Sequence, residues 1–96
     1  MVVDLVTYRV KRGKEREFER HNEDWARLLR RSRGFVARVL MRNAEDPAEY
    51  RAEVRWVSKE YRDRFNTLDD GDAKALLKAS AAILEGPPTH SLLEPV

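Results

Sequence analysis

The sequence predicts an α+β fold of the ferredoxin-like type, a split βαβ sandwich in which a four-stranded antiparallel sheet carries two helices on one face. One observation is the segment 50–65, which alternates charged and apolar residues as far as Trp56 and changes to a helical period at Lys59. Another is the segment 2–11, a strand pattern that ends before Gly13 and a charged amphipathic helix. Together they predict the order strand, helix, strand, strand, helix and a short final strand.

The first strand is predicted over residues 2–11, where apolar side chains point to both sides for much of the length, as in the centre of a sheet. The first helix begins at Lys14 and ends before Gly34, which suits a left-handed C-terminal cap. Its inward stripe follows the 3.6-residue period. The stripe consists of Phe18, His21 or Asn22, Trp25, Leu28 and Leu29.

Two strands joined by a short turn predict an antiparallel hairpin. The second strand covers residues 35–42, and residues 43–47 form a turn by their Asn, Asp and Pro content. Alternation along the third strand places Tyr50, Ala52, Val54 and Trp56 on one face. In the second strand, strict alternation separates Phe35, Ala37, Val39 and Met41 from Val36, Arg38, Leu40 and Arg42.

The second helix is predicted to begin after Ser58, a suitable N-cap. Its inward stripe is Tyr61, Phe65 and Leu68, and residues 69–71 interrupt it. Asp72 caps a further helical piece with Leu76, Leu77, Ile83 and Leu84 inward. Residues 86–88 end that piece, and residues 89–96 form the last strand.

Length and composition narrow the class of protein. The 96 residues form one domain, residues 1–96, with a formal net charge of +2. The absence of cysteine excludes disulfides, thiolate nucleophiles and cysteine-ligated metals. No signal peptide or membrane-spanning segment is predicted, so we expect a cytoplasmic protein without membrane partners. The basic cluster of Arg27, Arg30, Arg31 and Arg33 suits the C-terminal end of a helix dipole, and no nucleic-acid-binding motif accompanies it.

The sheet face without helices predicts a homodimer. We expect Leu5 or Val6 on that face, together with a mixture of aliphatic and charged residues: Val36, Leu40, Val57, Arg38, Arg42, Arg51, Glu53 and Arg55. Such a mixture fits a face shared with a second copy, and so small a core gains from the additional burial. Buried arginines need acidic partners, for which Glu53 and Asp4 are available.

Three segments carry a resemblance to a known family. They are residues 8–15 (YRVKRGKE) followed by Phe18, residues 34–36 (GFV) and residues 55–60 (RWVSKE). With them, essentially the whole chain resembles the antibiotic biosynthesis monooxygenase (ABM)-like domains of the dimeric α+β-barrel superfamily. Each segment marks a joint between strand and helix, so the resemblance is specific for the fold and the dimer rather than for chemistry.

The resemblance implies two ferredoxin-like protomers with facing sheets and a small pocket between helices and sheet in each. It also implies oxygenation of a quinol or polyketide-type aromatic without a bound cofactor. Another branch of the superfamily cleaves haem with an asparagine, a tryptophan and a histidine, whose positions fall on Val6, near Phe65 and near Ala75. The resemblance therefore disfavours haem cleavage, with His21 left as the one alternative iron ligand.

Oxygenation without a cofactor requires a base, an apolar pocket and donors for a developing oxyanion. His21 is our candidate base, and Asn22 or Tyr8 the candidate donor; the side of the sheet that His90 occupies stays open. Contacts to a flat substrate are assigned to Phe18, Trp25, Tyr50, Trp56 and Phe65. Each aromatic residue has a second interpretation, in which it is simply part of the core. The second interpretation of His21 is a half-exposed side chain at the edge of the helix stripe.

Two functional hypotheses follow. In one, the chain is a cofactor-independent monooxygenase acting on a small aromatic or quinol-like molecule. In the other, it is a non-catalytic dimer that binds an apolar small molecule. No metal site is predicted, since two distant histidines lack the ligand spacing of a zinc or iron centre.

Overall fold

The computed structural model describes residues 1–67 and 71–96. It confirms the predicted α+β ferredoxin-like fold. The second helical region is divided in two, so that three helices accompany four strands. The elements are β1 (Val2–Arg9), α1 (Glu15–Arg30), β2 (Phe35–Asn43), β3 (Asp46–Trp56), α2 (Lys59–Asn66), α3 (Gly71–Ile83) and β4 (Thr89–Leu93).

The strand order is β2-β3-β1-β4, with every neighbouring pair antiparallel. The two interior strands, β1 and β3, turn their buried residues toward the helices: Val2, Asp4 and Val6 from one, and Tyr50, Ala52, Val54 and Trp56 from the other. The alternation predicted for the third strand is thereby confirmed. Among the described elements, no helix packs on the opposite face of the sheet.

A β-bulge corrects the prediction for β2. The register is interrupted between Phe35, which pairs with Trp56, and Ala37, which pairs with Arg55. Because one extra residue reverses the alternation, Phe35 stays on the helix side while Ala37, Val39 and Met41 take the open face. Arg38, Leu40 and Arg42 therefore lie under the helices, and not on the open face where strict alternation placed them.

The acidic partners of the open face also differ from the prediction. Asp4 is 3% exposed on the helix side and bonds to Arg62 and His90, so it is not available to the open face. Glu53 does lie on the open face, where its carboxylate is 3.1 Å from Arg55.

Two apolar clusters form the core. One surrounds Trp56 and Leu29, with Tyr61 and Phe65 packed against it from α2. The other surrounds Phe18, Tyr50 and Ile83. Tyr8 and Leu40 contact both clusters, and α1 contributes Leu29 to one and Phe18 to the other.

The junctions between elements follow the predictions only in part. The prediction that Gly34 caps α1 is wrong, because the C-cap is Arg31 in the right-handed helical region. Gly34 does have a left-handed φ of +84°, but it lies in the turn just before β2. Ser58 occupies the N-cap of α2 with an extended backbone, although its side chain makes no capping hydrogen bond. The hairpin turn is tighter than predicted, because Asn43 already pairs with Asp46. Leu77, predicted inward, is 59% exposed, and Ala73 is buried in α3 instead. The predicted stripe residue Leu68 and the interruption at residues 69–70 lie outside the described residues.

Within the described ranges, no helix is both long enough and apolar enough to cross a membrane.

Candidate functional site

A cavity of about 270 Å³ lies between the helices and the sheet. The strands provide its floor, and all three helices provide its walls. The lining residues are Asp4, Val6, Tyr8, Trp25, Leu29, Arg38, Val54, Trp56, Phe65, Asn66, Ala73, Leu77, Ser80, Leu84, Pro88 and His90. Two larger grooves, of about 510 and 540 Å³, lie along α1 beside α3 and α2. They are more open and are rimmed by arginines, so the cavity between the helices and the sheet is the better candidate for a ligand site.

The sheet register sets the chemistry of the cavity floor. Val54 pairs with Arg38 on one side and with Asp4 on the other. Neighbouring strands lie about 4.8 Å apart, so the backbones of the two charged residues are separated by about 10 Å across the floor. In the adjoining row, Val6 pairs with His90 of β4. An apolar centre is thus flanked by a cation on one side and by a carboxylate and an imidazole on the other.

Aromatic side chains form one wall of the cavity. The ring centroids of Trp25 and Phe65 lie 6.2 Å apart at 66°, and those of Trp56 and Phe65 lie 5.3 Å apart at 41°. Such tilted contacts between rings are typical of well-packed aromatic clusters. They join α1, α2 and β3, so the wall is held by three separate elements.

Tyr8, Arg38 and Asn22 form a polar group at the β2 side of the floor. The guanidinium of Arg38 donates to Oδ1 of Asn22, whose Nδ2 donates to the carbonyl of Phe18 at 3.2 Å. Burial raises the pKa of the Tyr8 hydroxyl, while the charge of Arg38 and its hydrogen bond to Tyr8 oppose that shift. Tyr8 is therefore a neutral donor at ordinary pH, beside a fixed cation.

Asp4, Arg62 and His90 form a second polar group at the β4 side. Nε of Arg62 donates to Oδ2 of Asp4 at 3.2 Å, and Nδ1 of His90 lies 3.1 Å from Oδ1. Burial acts to lower the pKa of Arg62, but the hydrogen bonds to Asp4 and Asp63 outweigh it and raise that pKa. The buried carboxylate is thus satisfied by one cation and one imidazole.

His21 lies behind the cavity lining. The indole nitrogen of Trp25 donates to its Nε2 at 3.0 Å, and Oγ of Ser80 lies 2.7 Å from the same nitrogen. Because an indole only donates, Nε2 is an acceptor and the ring is neutral. Burial lowers the pKa of His21, against the charges of Asp24 and Glu17.

The predicted site residues are divided between the cavity and its surroundings. Tyr8, Trp25, Trp56 and Phe65 line the cavity. His21 and Asn22 contact lining residues from behind. Phe18 and Tyr50 lie in the neighbouring core cluster, where the Tyr50 hydroxyl donates to Glu19 at 2.6 Å.

Sequence reasoning did not assign Asp4, Arg38, Ser80 or His90 to a site. Asp4 offered a signal, since it is a single acid in an otherwise apolar central strand. Arg38 was missed because the bulge in β2 moves it to the other face of the sheet. His90 was missed because the sequence does not determine which side of the sheet it occupies. Among the described residues, no three His, Asp or Glu side chains are grouped so that they could hold a metal ion.

Fold and cavity together define a ferredoxin-like domain with a largely apolar cavity between the helices and the sheet. The chain belongs to the antibiotic biosynthesis monooxygenase family, whose model matches residues 1–73. No curated protein matches the chain.

Solved structures share its fold. SnoaB from Streptomyces nogalater, a cofactor-independent oxygenase, is 21% identical with a TM-score of 0.86, over 99% of this chain and 92% of SnoaB. A Bordetella bronchiseptica protein with the same family name is 22% identical with a TM-score of 0.84, over 99% and 96% of the two chains. A conserved protein from Methanosarcina mazei Go1 is 14% identical with a TM-score of 0.84, over 100% and 94%.

Proposed function

We propose that the chain is a cofactor-independent monooxygenase that acts on a small, flat aromatic or quinol-like molecule bound in the cavity. The observation that carries the proposal is a cavity between the helices and the sheet with an aromatic wall and ionisable groups on both sides of an apolar floor. Membership of the monooxygenase family supports it, as does the fold shared with SnoaB.

The size of the cavity supports a small substrate. Its volume of about 270 Å³ is close to the lower end of the roughly 300–1,000 Å³ typical of ligand sites. The wall of Trp25, Trp56 and Phe65 presents ring faces and edges to such a molecule. A planar ring system of two or three fused rings meets both conditions.

The proposed reaction uses the substrate as its own reductant. Removal of a proton from a phenol or enol gives an electron-rich anion that can transfer electrons to dioxygen. When a ring methylene becomes a carbonyl, one oxygen atom enters the product and the other leaves as water. The substrate supplies all the electrons required, so the reaction needs no separate reductant.

The polar residues of the cavity are proposed to stabilise the negative charge that develops on the substrate. Tyr8 and Arg38 donate to the anion that forms, which lowers its energy. Asn22 positions Arg38 through their hydrogen bond. Phe18 and Tyr50, rather than contacting substrate directly, support the Tyr8 ring, since the Phe18 ring centroid lies 5.1 Å from that of Tyr8 and 4.6 Å from that of Tyr50.

His21 reaches the cavity only through its neighbours. Ser80 and Trp25 both line the cavity and both contact Nε2 of His21. As a base, His21 would receive a substrate proton through the Ser80 hydroxyl. That route requires the Trp25 hydrogen bond to break.

A second copy of the chain is the proposed partner on the open sheet face. Members of this family are generally dimeric. Val39 and Met41 are 47% and 44% exposed there, beside the Glu53–Arg55 pair. Exposed aliphatics with paired charges suit an interface that recurs on both copies.

Oxygen uptake with purified protein and no added cofactor tests the proposed reaction. The panel consists of anthrones, dihydroxynaphthalenes and simple hydroquinones, each also measured without protein. With ¹⁸O₂, we expect one labelled atom in the product and one in water. If no compound is consumed faster than in the blank while one of them raises the melting temperature, the chain is a binding protein and not an oxygenase.

A further inference from the structure

We infer that His90, oriented by Asp4, is the group that removes the proton from a phenol or enol bound in the cavity. This rests on the proposed function and deepens it, because it names the base of the same site. The inference concerns the ionisation of the ligand, which can be measured without any reaction with dioxygen.

The hydrogen bond between His90 and Asp4 fixes the tautomer of the imidazole. Nδ1 lies 3.1 Å from Oδ1 and 3.2 Å from Oδ2 of a carboxylate that is 3% exposed. An ionised carboxylate only accepts, so Nδ1 carries the proton and Nε2 holds the lone pair. A carboxylate in this position also stabilises the imidazolium formed when Nε2 takes up a proton.

The position of His90 suits proton transfer from a ligand to solvent. His90 pairs with Val6 on β1, and both residues line the cavity. The imidazole is 37% exposed, so it also reaches the outside. Within the described residues, its hydrogen bonds are made through Nδ1, which leaves Nε2 for a ligand.

Arg62 is a positioning residue for this pair. Its Nε donates to Oδ2 of Asp4, and its Nη1 donates to Asp63 at 2.9 Å. The guanidinium holds Oδ2 of Asp4 in place, while Nδ1 of His90 lies 3.1 Å from Oδ1 and 3.2 Å from Oδ2. Since Arg62 belongs to α2 and Asp4 to β1, the pair also links the helix to the floor of the cavity.

His21 is less suited to the same role. Its Nε2 already accepts a hydrogen bond from Trp25 and contacts Ser80. Both contacts separate that nitrogen from the cavity.

The proton transfer is balanced within the site. The O–H bond of the ligand breaks, its electron pair stays on the oxygen, and the proton forms a bond with Nε2 of His90. A neutral phenol and a neutral imidazole become a phenolate and an imidazolium. The imidazolium lies beside Asp4. Arg38 and Tyr8 line the cavity on the other side of its floor, where they are near the phenolate.

Binding of 4-nitrophenol tests the inference, because its phenolate absorbs visible light and the ring is inert to dioxygen. Below the pKa of the free phenol, we expect wild-type protein to bind it with a phenolate spectrum. His90→Gln should bind the neutral phenol or lose affinity at least tenfold, and Asp4→Asn should reduce the phenolate fraction. Glu94→Gln makes the same carboxylate-to-amide change at an exposed position and should behave as wild type.

Three results would overturn the assignment: a phenolate spectrum that persists in His90→Gln, one that disappears in His21→Gln instead, or no binding of the phenol by wild type. Failure of oxygen uptake alone overturns the proposed reaction and leaves this assignment standing. Since Asp4→Asn leaves Arg62 without a buried partner and can unfold the protein, ¹⁵N spectra of the two histidines in wild type give a second readout. His90 should carry its proton on Nδ1, and its Nε2 signal should move on binding the phenol; an Nε2-protonated ring would contradict the inference.

Discussion

The guanidinium of Arg62 donates to the buried carboxylate of Asp4 at 3.2 Å, which ties α2 to the centre of the sheet. The Arg62 side chain is 17% exposed and that of Asp4 is 4% exposed, so the pair is largely shielded from solvent. A paired buried charge adds little net stability, whereas removing one partner leaves an uncompensated charge.

Arg62→Met should lower the free energy of unfolding by about 2–3 kcal/mol, measured by urea denaturation. That is less than the ~3–5 kcal/mol of a fully buried pair, because Arg62 is partly exposed and His90 remains beside Asp4. Lys59→Gln removes an exposed pair with Asp63 and should cost no more than about 0.5 kcal/mol. Equal costs for the two variants would contradict the role of Asp4 as a buried charge.

Gly34 and Gly13 separate a backbone effect from a steric one. Both have a φ of +84°, but a Cβ at Gly34 would lie 2.3 Å from the Tyr61 ring, while one at Gly13 would meet no atom of the described residues within 4 Å. Gly13→Ala should cost about 1 kcal/mol from the left-handed backbone alone. Gly34→Ala should cost about 3 kcal/mol or more, because Tyr61 must also move. Thermal and urea unfolding would show similar losses for both if Tyr61 can shift freely.

The depressed pKa of His21 predicts loss of stability in acid. Burial lowers it below the ordinary 6.5, so above that pH neither the folded nor the unfolded chain carries this proton. As the pH falls below 6.5, the unfolded chain binds this proton before the folded chain does, so the free energy of unfolding decreases. The decrease ends once the pH is below the pKa of His21 in the folded chain. The melting temperature of wild type should therefore fall more steeply than that of His21→Gln, which retains an acceptor for Trp25. Parallel curves would contradict the prediction.

Ala73→Leu should block the cavity. Ala73 is buried in its lining, so the added atoms occupy ligand volume without requiring the wall to be rebuilt. We expect at least a tenfold loss of 4-nitrophenol affinity and little change in melting temperature. Ala75→Leu, on the exposed side of the same helix, should bind as wild type. Unchanged binding by Ala73→Leu would place the ligand elsewhere.

Val39→Lys should dissociate the proposed dimer, because it places a charge among the exposed aliphatics of the open face. Light scattering coupled to gel filtration should show a dimer for wild type and a monomer for the variant. Leu77→Lys changes a still more exposed residue, on the helix side, and should remain dimeric. A monomeric wild type at micromolar concentration would overturn the proposed partner.

The predictions from sequence succeeded where the signal was local. The alternation from Tyr50 to Trp56 and the stripe from Phe18 to Leu29 predicted which faces are buried. They failed at β2, where the bulge after Phe35 reversed the alternation and brought Arg38 into the cavity. A bulge is selected by packing against the neighbouring strand, and the residues of β2 alone do not reveal it.

The sequence by itself determined the order of the elements, their buried faces in α1 and β3, and the aromatic character of the cavity wall, because helical and strand periods are properties of neighbouring residues. Only the tertiary structure decided which polar residues meet. Asp4 and His90 are 86 positions apart, and pairing of β1 with β4 places them within 3.1 Å. The His21–Ser80 contact likewise depends on the packing of α3 against α1. Such contacts arise from strand register and helix packing across the whole chain, which no local pattern encodes.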